Sequence, residues 1–486
     1  MSSLEAHIAK LKEDPVLSEL LSPLLEFIDL QFEQLKVQVE QLKAQSDEIA
    51  SLRSEVAVLK EQLNQNSNNS NKPPSSDGYR KKSVALNPRS GKQGGQAGHK
   101  GNTLKMVAEP DIIDQQFICS HCDEPASDVV QMERRQVFDL PDPRLIVTEY
   151  QRGMCYCSAC DRYTQTSFPD GVGAPVQYGS GVKAMCALLH NDYHVPLKRV
   201  GRLFKDLFGH EINDGTILQS QHHLYNHLQA SEEVILASLL QSKCLHVDET
   251  GIRVEGKLHW FHAATTGSLS HFYVHQKRGS AAHAESILPA YRGRMIHDCF
   301  KPYFKYTAAD HGLCNSHLLR ELAAFDHRKW ARSVQDLLLA AYRSTEQVNY
   351  DLYKTCYFKL LKEGLSKHPR PPGRWMQTGK VTRGKARNLI RRLYQYHNEV
   401  WAFARDPDVP FTNNQVERDI RMVKLKVKVN GGFRTQQGAE IFARIAGFCS
   451  TVRKQGLHTF AELKLAFSIP HYVIALKPLQ AHEVPK

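Results

Sequence analysis

The chain of 486 residues is long enough for about three domains. Apolar residues at 41% and charged residues at 23% exclude a disordered chain as a whole, and a net charge of +12 favours a polyanionic partner. No apolar run of about 18 residues and no secretory signal occur, so we expect a cytoplasmic protein without a membrane partner. The 11 cysteines are too sparse for a disulfide scaffold, so clustered cysteines are expected to bind metal.

Residues 1–64 are predicted to form a coiled coil. Apolar residues recur every seven positions, at Ile28, Leu35, Leu42, Ile49, Val56 and Leu63. The second apolar position of each repeat lies four residues after the first before Ser46 and three residues after it beyond Ser46. This change of spacing predicts a phase slip in the coiled coil. We expect the chain to self-associate through this helix, and the alternative is an amphipathic helix that packs on its own chain.

Residues 65–106 are predicted to form a flexible basic arm, because Asn, Ser, Gly and Pro leave little apolar surface to order the segment. The segment contains eight Lys and Arg residues and a single acid, Asp77. A solvated linker is one interpretation, and an arm that follows DNA phosphates is the other. The arm residues expected to bind DNA are Lys72, Arg80, Lys81, Lys82, Lys92 and Lys100.

Residues 107–170 are predicted to form a zinc-binding module, because two Cys-x-x-Cys knuckles can supply four thiolates in a tetrahedron. The four cysteines are Cys119, Cys122, Cys157 and Cys160. The stretch 136–156 is predicted to form two strands that bring the knuckles together. His121 and Cys155 are spare donors that leave the ligand identity open. Four free structural thiols are the alternative.

Residues 175–242 are predicted to be helical, with one helix that ends at Gly209 and a second that Asn213 caps. The pair is compatible with a DNA-binding helix-turn-helix, but an ordinary helical hairpin is our preferred interpretation. The pattern then becomes strand-like and later alternates with helices, which predicts a mixed α/β domain. This domain spans 243–470, a helical insertion occupies about 322–410, and 471–486 form a tail.

Three acids are placed where they could do chemistry. Asp248 and Asp298 each end a predicted strand, and Glu417 lies on a predicted helix. Such carboxylates can hold two divalent ions about 3.5–4 Å apart, which clamps a phosphodiester, and oxygen ligands suit magnesium or manganese. Placement alone leaves ordinary roles open, namely turn or cap residues for the aspartates and an ion pair with Arg421 for Glu417.

Several motifs together resemble those of the transposases of the insertion sequence 66 family, and the likeness runs nearly end to end. The coil is followed by NSNNSNKPPSSDG and GGQAGHKG, and the knuckles flank QVFDLP. The family's catalytic blocks are similar to VDET at 247–250, HD at 297–298 before an aromatic pair, and TNNQVERDIR at 412–421. The chain departs from the family at Thr412, where the family has Asp.

The resemblance implies a multidomain α/β protein with a ribonuclease-H-like core that a helical insertion interrupts. It assigns Asp248, Asp298 and Glu417 to the catalytic triad of a DDE-type transposase. It also implies a Cys-x-x-His pair, here Cys314 and His317. We interpret that pair as structural, because further metal ligands are not evident from the sequence.

The function so implied is metal-dependent DNA strand cleavage followed by strand transfer. An activated water cuts the element end, and the released 3′ hydroxyl attacks target DNA. Both DNAs are therefore partners, and nucleoid association is expected. Arg421 and Lys424 share a helical face with Glu417 and are expected to steer phosphate towards it, and an ordinary solvated face is the alternative. The alternatives are a non-catalytic, zinc-containing dimeric DNA-binding protein and a metal-dependent nuclease.

Overall fold

A computed structural model describes residues 13, 15–63, 104–114, 118, 121–122, 124–125, 132–344, 349–369 and 384–478. The chain divides into two compact units. One unit comprises Met1–Leu86 with Arg320–Arg328, and the other comprises Asn87–Leu319 with Lys329–Lys486. No helix among the described residues is long and apolar enough to cross a membrane.

The N-terminal helix α1 spans Pro15–Leu63, 49 residues, close to the extent that the heptad pattern predicts. Within a single chain, Leu35 and Leu42 of the repeat are 54% and 64% exposed. Apolar side chains at a seven-residue spacing are the kind that a second helix covers in a coiled coil. The helix is therefore confirmed, and self-association stays a prediction.

The Cys-bearing module contains a short antiparallel hairpin, β1 (Met154–Cys157) and β2 (Arg162–Gln165). Our prediction of two strands within 136–156 is wrong, because the chain is irregular from 132 to 153 and β1 is the one strand that enters the stretch, at residues 154–156. Pro141 and Pro143 interrupt the apolar pattern, and proline cannot donate a hydrogen bond to a strand ladder. The second knuckle itself forms the turn of the hairpin.

A helical segment precedes the main sheet. It consists of α2 (Ser180–Ala187), a π-helical turn (Leu188–Asp192), α3 (Leu197–Phe208), α4 (Asp214–His227) and α5 (Gln229–Leu240). Helix α3 ends at Gly209, whose φ of +68° is the left-handed conformation that glycine adopts easily. Asn213 caps α4, since its side chain accepts a hydrogen bond from the Gly215 amide at 2.7 Å. Both predicted helix boundaries are confirmed.

The central sheet has five strands in the order β5-β4-β3-β6-β7. They are β3 (Cys244–Val254), β4 (Lys257–Thr265), β5 (Ser270–His275), β6 (Arg294–His297) and β7 (Asp310–Leu313). The first three in the chain pair antiparallel, while β6 and β7 run parallel to β3. Glu255 and Gly256 make the hairpin turn between β3 and β4 with φ of +53° and +75°, the left-handed conformation that a two-residue type I′ turn uses. The sequence pattern does not predict β7.

Helices follow and flank the strands. They are α6 (Ser280–Ala284), a 3-10 turn (Lys301–Lys305), α7 (Asn315–Ala323), α8 (Lys329–Arg343), α9 (Tyr350–Lys367), α10 (Lys385–Gln395), α11 (His397–Val400), α12 (Ala402–Arg405), α13 (Asn414–Asn430), α14 (Gln436–Lys454) and α15 (Thr459–Ser468). The described part of 322–410 is helical, as the sequence pattern predicts.

Alternation along β3 distributes its side chains between two hydrophobic clusters. Leu245 and Val247 belong to a cluster that includes Leu239 and Tyr291. Ile252 belongs to the other cluster, which includes Val416 and Ile420 of α13. Residues 248 and 249 consequently face opposite sides of the sheet, and only the side of residue 248 faces α13.

Candidate active site

The first two acids are brought together by strand register. Our prediction that Asp248 ends a strand is wrong, because pairing with β4 continues β3 to Val254, whereas Asp298 directly follows β6 as predicted. In the parallel pair β3 and β6, His246 lies opposite Ile296, so Asp248 and Asp298 follow at the same level. Neighbouring strands are about 4.8 Å apart, which makes the two carboxylates neighbours. Cys299 then adopts a left-handed φ of +73°, and this turn allows the Phe300 amide to donate to Asp298 Oδ1 at 3.0 Å.

The third acid reaches the same place through Asn413, at the start of α13. Its Nδ2 donates to the Val247 carbonyl at 3.0 Å, and its Oδ1 lies 2.7 Å from His246 Nδ1. Asn413 is 1% exposed, so it anchors the helix to β3 and does not contact solvent. Glu417 follows one helical turn later, and its charge acts on Asp248.

Asp248 interacts electrostatically with the other two acids. Burial raises the pKa of Asp248 well above its usual range, and the charges of Glu249, Asp298 and Glu417 raise it further. Burial also raises the pKa of Asp298, against the hydrogen bond from the Phe300 amide and the nearby Arg278, which lower it. Such a cluster of mutually repelling oxygen donors fits divalent ions like magnesium, which would offset the repulsion.

The Cys-x-x-His pair lies beside the third acid. His317 Nδ1 is 3.5 Å from Glu417 Oε1, and the backbone N–H of Asn413 donates to Cys314 Sγ at 3.1 Å. The ligand atoms of Cys314, His317 and Glu417 lie within 4.8 Å of one another. This proximity of Glu417 to the pair is a feature that sequence reasoning missed, because 100 residues separate His317 from Glu417.

A further acid, Glu249, lies on the face of β3 opposite to Asp248. Sequence reasoning missed its role as well. The Tyr303 hydroxyl donates to its Oε2, and Arg278 Nε donates to its Oε1 at 2.6 Å. His262 and His283 place ring nitrogens within 4.8 Å of this carboxylate. The available sequence signal was the acid directly after Asp248 in VDET, but its partners come from distant segments.

The second cysteine knuckle lies in a tight turn. Cys157 and Cys160 lie in the β1–β2 turn, where hydrogen bonds donated by the Cys160 and Ala159 backbone amides lower the pKa of the Cys157 thiol. A bridge between Ile118 and Pro125 brackets the first knuckle, whose Cys122 is exposed. Cys119 lies outside the described residues. A thiol that ionises readily in a tight turn fits zinc.

The basic residues singled out for DNA fall into two groups. The arm residues Lys72, Arg80, Lys81, Lys82, Lys92 and Lys100 lie outside the described residues. Arg421 and Lys424 are exposed on α13, and the side chain of Arg421 is 72% exposed with its Nη2 4.0 Å from Glu417 Oε2. One cation of the insertion also acts on an acid, since Arg392 of α10 contributes to lowering the pKa of Asp298.

Comparison with protein families identifies the class of enzyme that carries these acids. The model of the zinc-finger binding domain of transposase IS66 matches residues 117–161, which contain both knuckles. The model of the Transposase IS66 family matches residues 175–441, more than half of the chain, and this span contains all three acids. The chain therefore belongs to the IS66 family of transposases.

The remaining comparisons concern the N-terminal part and the whole chain. A family of unknown function matches residues 22–105, which cover much of the predicted coil and arm. Among curated proteins, none matches the chain. The family assignment makes the protein a transposase with a zinc-finger domain, and the non-catalytic alternative is not favoured.

Proposed function

We propose that Asp248, Asp298 and Glu417 form the catalytic triad of a two-metal-ion, DDE-type transposase. The observation that carries this proposal is the common level of Asp248 and Asp298 on parallel strands, with Glu417 brought beside them by Asn413. The strand order, three antiparallel strands followed by two parallel ones, supports a ribonuclease-H-like core for the proposed domain 243–470.

The three carboxylates would hold magnesium or manganese, with zinc confined to the four knuckle cysteines. When bound, the divalent ions supply charge neutralisation and activation of the attacking oxygen. The contribution of the chain is positioning: β3 and β6 fix two acids in register, and the buried Asn413 fixes the helix that carries the third. Positioning of this kind is what phosphoryl transfer chiefly requires.

The other segments would hold DNA. The arm at 65–106, the zinc module at 107–170, the helices of 175–242 and the basic insertion within 322–410 are proposed to bind element ends and target DNA. Arg421 and Lys424 lie exposed on the helix of Glu417 and would steer phosphate. The coil at 1–64 would join two copies, 471–486 would be a tail, and a chromosomal substrate would place the protein in the cytoplasm with the nucleoid.

The decisive experiment is incubation of the purified protein with labelled element ends, target DNA and magnesium. We expect nicked ends and then joined products. Nicked products without joined ones would favour the metal-dependent nuclease, because the triad is common to both reactions. The Asp310→Asn variant is the matched control, since this aspartate lies on β7 with its side chain 76% exposed and paired with Arg294.

A further inference from the structure

Arg278 follows β5 and is held on several sides by described residues. Its Nε donates to Glu249 Oε1 at 2.6 Å. Its guanidinium carbon lies 4.2 Å from the ring centroid of Phe300 and 4.9 Å from that of Trp260. Such cation–π contacts fix the plane of the guanidinium. The side chain is therefore preorganised, unlike a free surface arginine.

The outer end of this guanidinium is accessible. The Arg278 side chain is 40% exposed, whereas the Glu249 side chain is 1% exposed. Among the described residues, the bond from Nε to Glu249 is the one hydrogen bond that the guanidinium makes. The terminal amino groups are therefore available, and their planar fork matches the oxygens of a phosphate.

Arg278 also lies at the edge of the acid site. The Phe300 amide binds Asp298 Oδ1, and the ring of the same residue supports Arg278. Glu249 holds Arg278 from the face of β3 opposite to Asp248, so the link from Arg278 to the acids runs through Phe300 and Asp298. The influence of Arg278 on Asp298 agrees with this placement, because its charge opposes the increase that burial causes in the pKa of that acid.

A buried metal site at Glu249, His262 and His283 is the competing interpretation of the same cluster. Their ligand atoms lie within 4.8 Å of one another. However, Arg278 already supplies a positive charge to Glu249, and it reinforces burial in lowering the pKa of His283 to about 4. A second cation beside it would be repelled, so Arg278 itself is the cation of this cluster.

We propose that Arg278 binds a DNA phosphate beside the acid triad and that Glu249 is its positioning residue. The inference rests on the proposed function, which supplies the DNA. A phosphate bound by the guanidinium would lie beside Phe300 and Asp298, at the end of β6. Arg278 would then contact substrate, while Glu249 would act through Arg278 alone.

The test is a coupling experiment on DNA affinity, which does not depend on cleavage. Element ends with a neutral methylphosphonate at single positions around the cut are bound to the unmodified protein and to Arg278→Gln. At one position the neutral linkage should weaken binding by the unmodified protein about tenfold and leave binding by the variant unchanged. Lys277→Gln removes an exposed charge at the preceding residue. This variant should show the same methylphosphonate effects as the unmodified protein.

Single-turnover cleavage then separates positioning from folding. Arg278→Gln should cut about 100-fold more slowly at saturating DNA, as expected for loss of one preorganised donor. Arg278→Lys, which keeps the charge without the fork, and Glu249→Gln should each lose about tenfold. Zinc content and the unfolding temperature identify a variant that fails to fold, and Arg278→Met, which keeps an apolar stem beside Phe300 and Trp260, then carries the coupling test.

The outcomes are distinguishable. If the unmodified protein cuts DNA but methylphosphonate effects are the same with and without Arg278, this inference is overturned and the proposed function stands. If coupling at one phosphate is found but the unmodified protein cuts no DNA with magnesium or manganese, the proposed catalysis fails while the phosphate contact stands.

Discussion

Asn413 donates a hydrogen bond of 3.0 Å from its side chain to the carbonyl oxygen of Val247, the residue before Asp248. This bond joins the start of α13 to the strand that carries the first acid. The helix therefore presents Glu417 to β3 through a buried amide, and the TNN motif has a structural role. Positioning of the third acid depends on a residue that has no contact with solvent.

Removal of this anchor should impair catalysis and stability together. Asn413→Ala removes the side-chain hydrogen bonds to the Val247 carbonyl and to His246 Nδ1, both of which are buried. This loss should lower the free energy of unfolding by about 1–3 kcal/mol. The rate of strand cleavage should fall further than the loss of folded protein explains, because Glu417 loses its position. Asn414→Ala, at the exposed next position, should change neither the denaturation midpoint nor the cleavage rate. Equal behaviour of the two variants would contradict the anchoring role.

The triad assignment predicts that Asp248→Asn, Asp298→Asn and Glu417→Gln each lower cleavage and joining by about 1,000-fold or more, since each removes a charged ligand. DNA binding and zinc content should stay at the unmodified level. Glu440→Gln is the control for the third acid, because Glu440 accepts a hydrogen bond from Gln436 on α14. A normal rate for Glu417→Gln with a dead Glu440→Gln would show that the third acid is misassigned.

The knuckle cysteines predict a structural zinc. Purified protein should contain about one zinc ion per chain, and Cys119→Ser combined with Cys157→Ser should release it. The module at 107–170 should then become sensitive to protease. Cys356→Ser is the matched control, because this cysteine is exposed on a helix outside the module. Metal analysis that finds no zinc in protein purified without chelator would rule out the site.

The heptad pattern predicts self-association of the full chain. Replacing Leu35 and Leu42 by Asn removes two exposed apolar side chains from the predicted seam and should shift sedimentation from an oligomer to a monomer. Val37→Asn is the control, because Val37 is also exposed, at 53%, but lies outside the repeat. If the unmodified chain is already a monomer at high concentration, the helix does not mediate self-association.

A buried lysine predicts a rise of stability with pH. Lys426 of α13 lies 4% exposed with its Nζ 3.0 Å from the His190 carbonyl, and burial lowers its pKa from 10.5 to about 7. Between pH 7 and 10.5 the unfolded chain binds this proton and the folded chain does not. Lys426 should therefore add about 1.4 kcal/mol of stability per pH unit across that window.

Replacement of this lysine by methionine keeps the apolar stem and removes the titrating group. The Lys426→Met variant should have a flatter stability profile above pH 7 than the unmodified protein, measured by urea denaturation at several pH values. Lys424→Met, at an exposed position of the same helix, should keep the unmodified profile. Parallel profiles for all three proteins would show that Lys426 titrates normally.

Local physical rules, which act between residues close together in the chain, determined several boundaries of the fold. Gly209 ends α3 because glycine adopts positive φ without a steric penalty, and Asn213 starts α4 because its side chain satisfies an amide at the helix end. The turn at Glu255 and Gly256 follows the same logic. The sequence by itself therefore specified these features, and its motifs also identified the three acids and the knuckles.

The tertiary structure determined which residues far apart in the sequence come into contact. The register of β3 and β6 sets the level of Asp248 against Asp298, and no local pattern encodes which strands pair. The partners of Glu249 come from 29 and 54 residues away, as Arg278 and Tyr303. The same limit explains the missed β7 and the two strands wrongly predicted within 136–156. A strand becomes stable only when a neighbouring strand satisfies its backbone, and that neighbour is chosen by the packing of the whole domain.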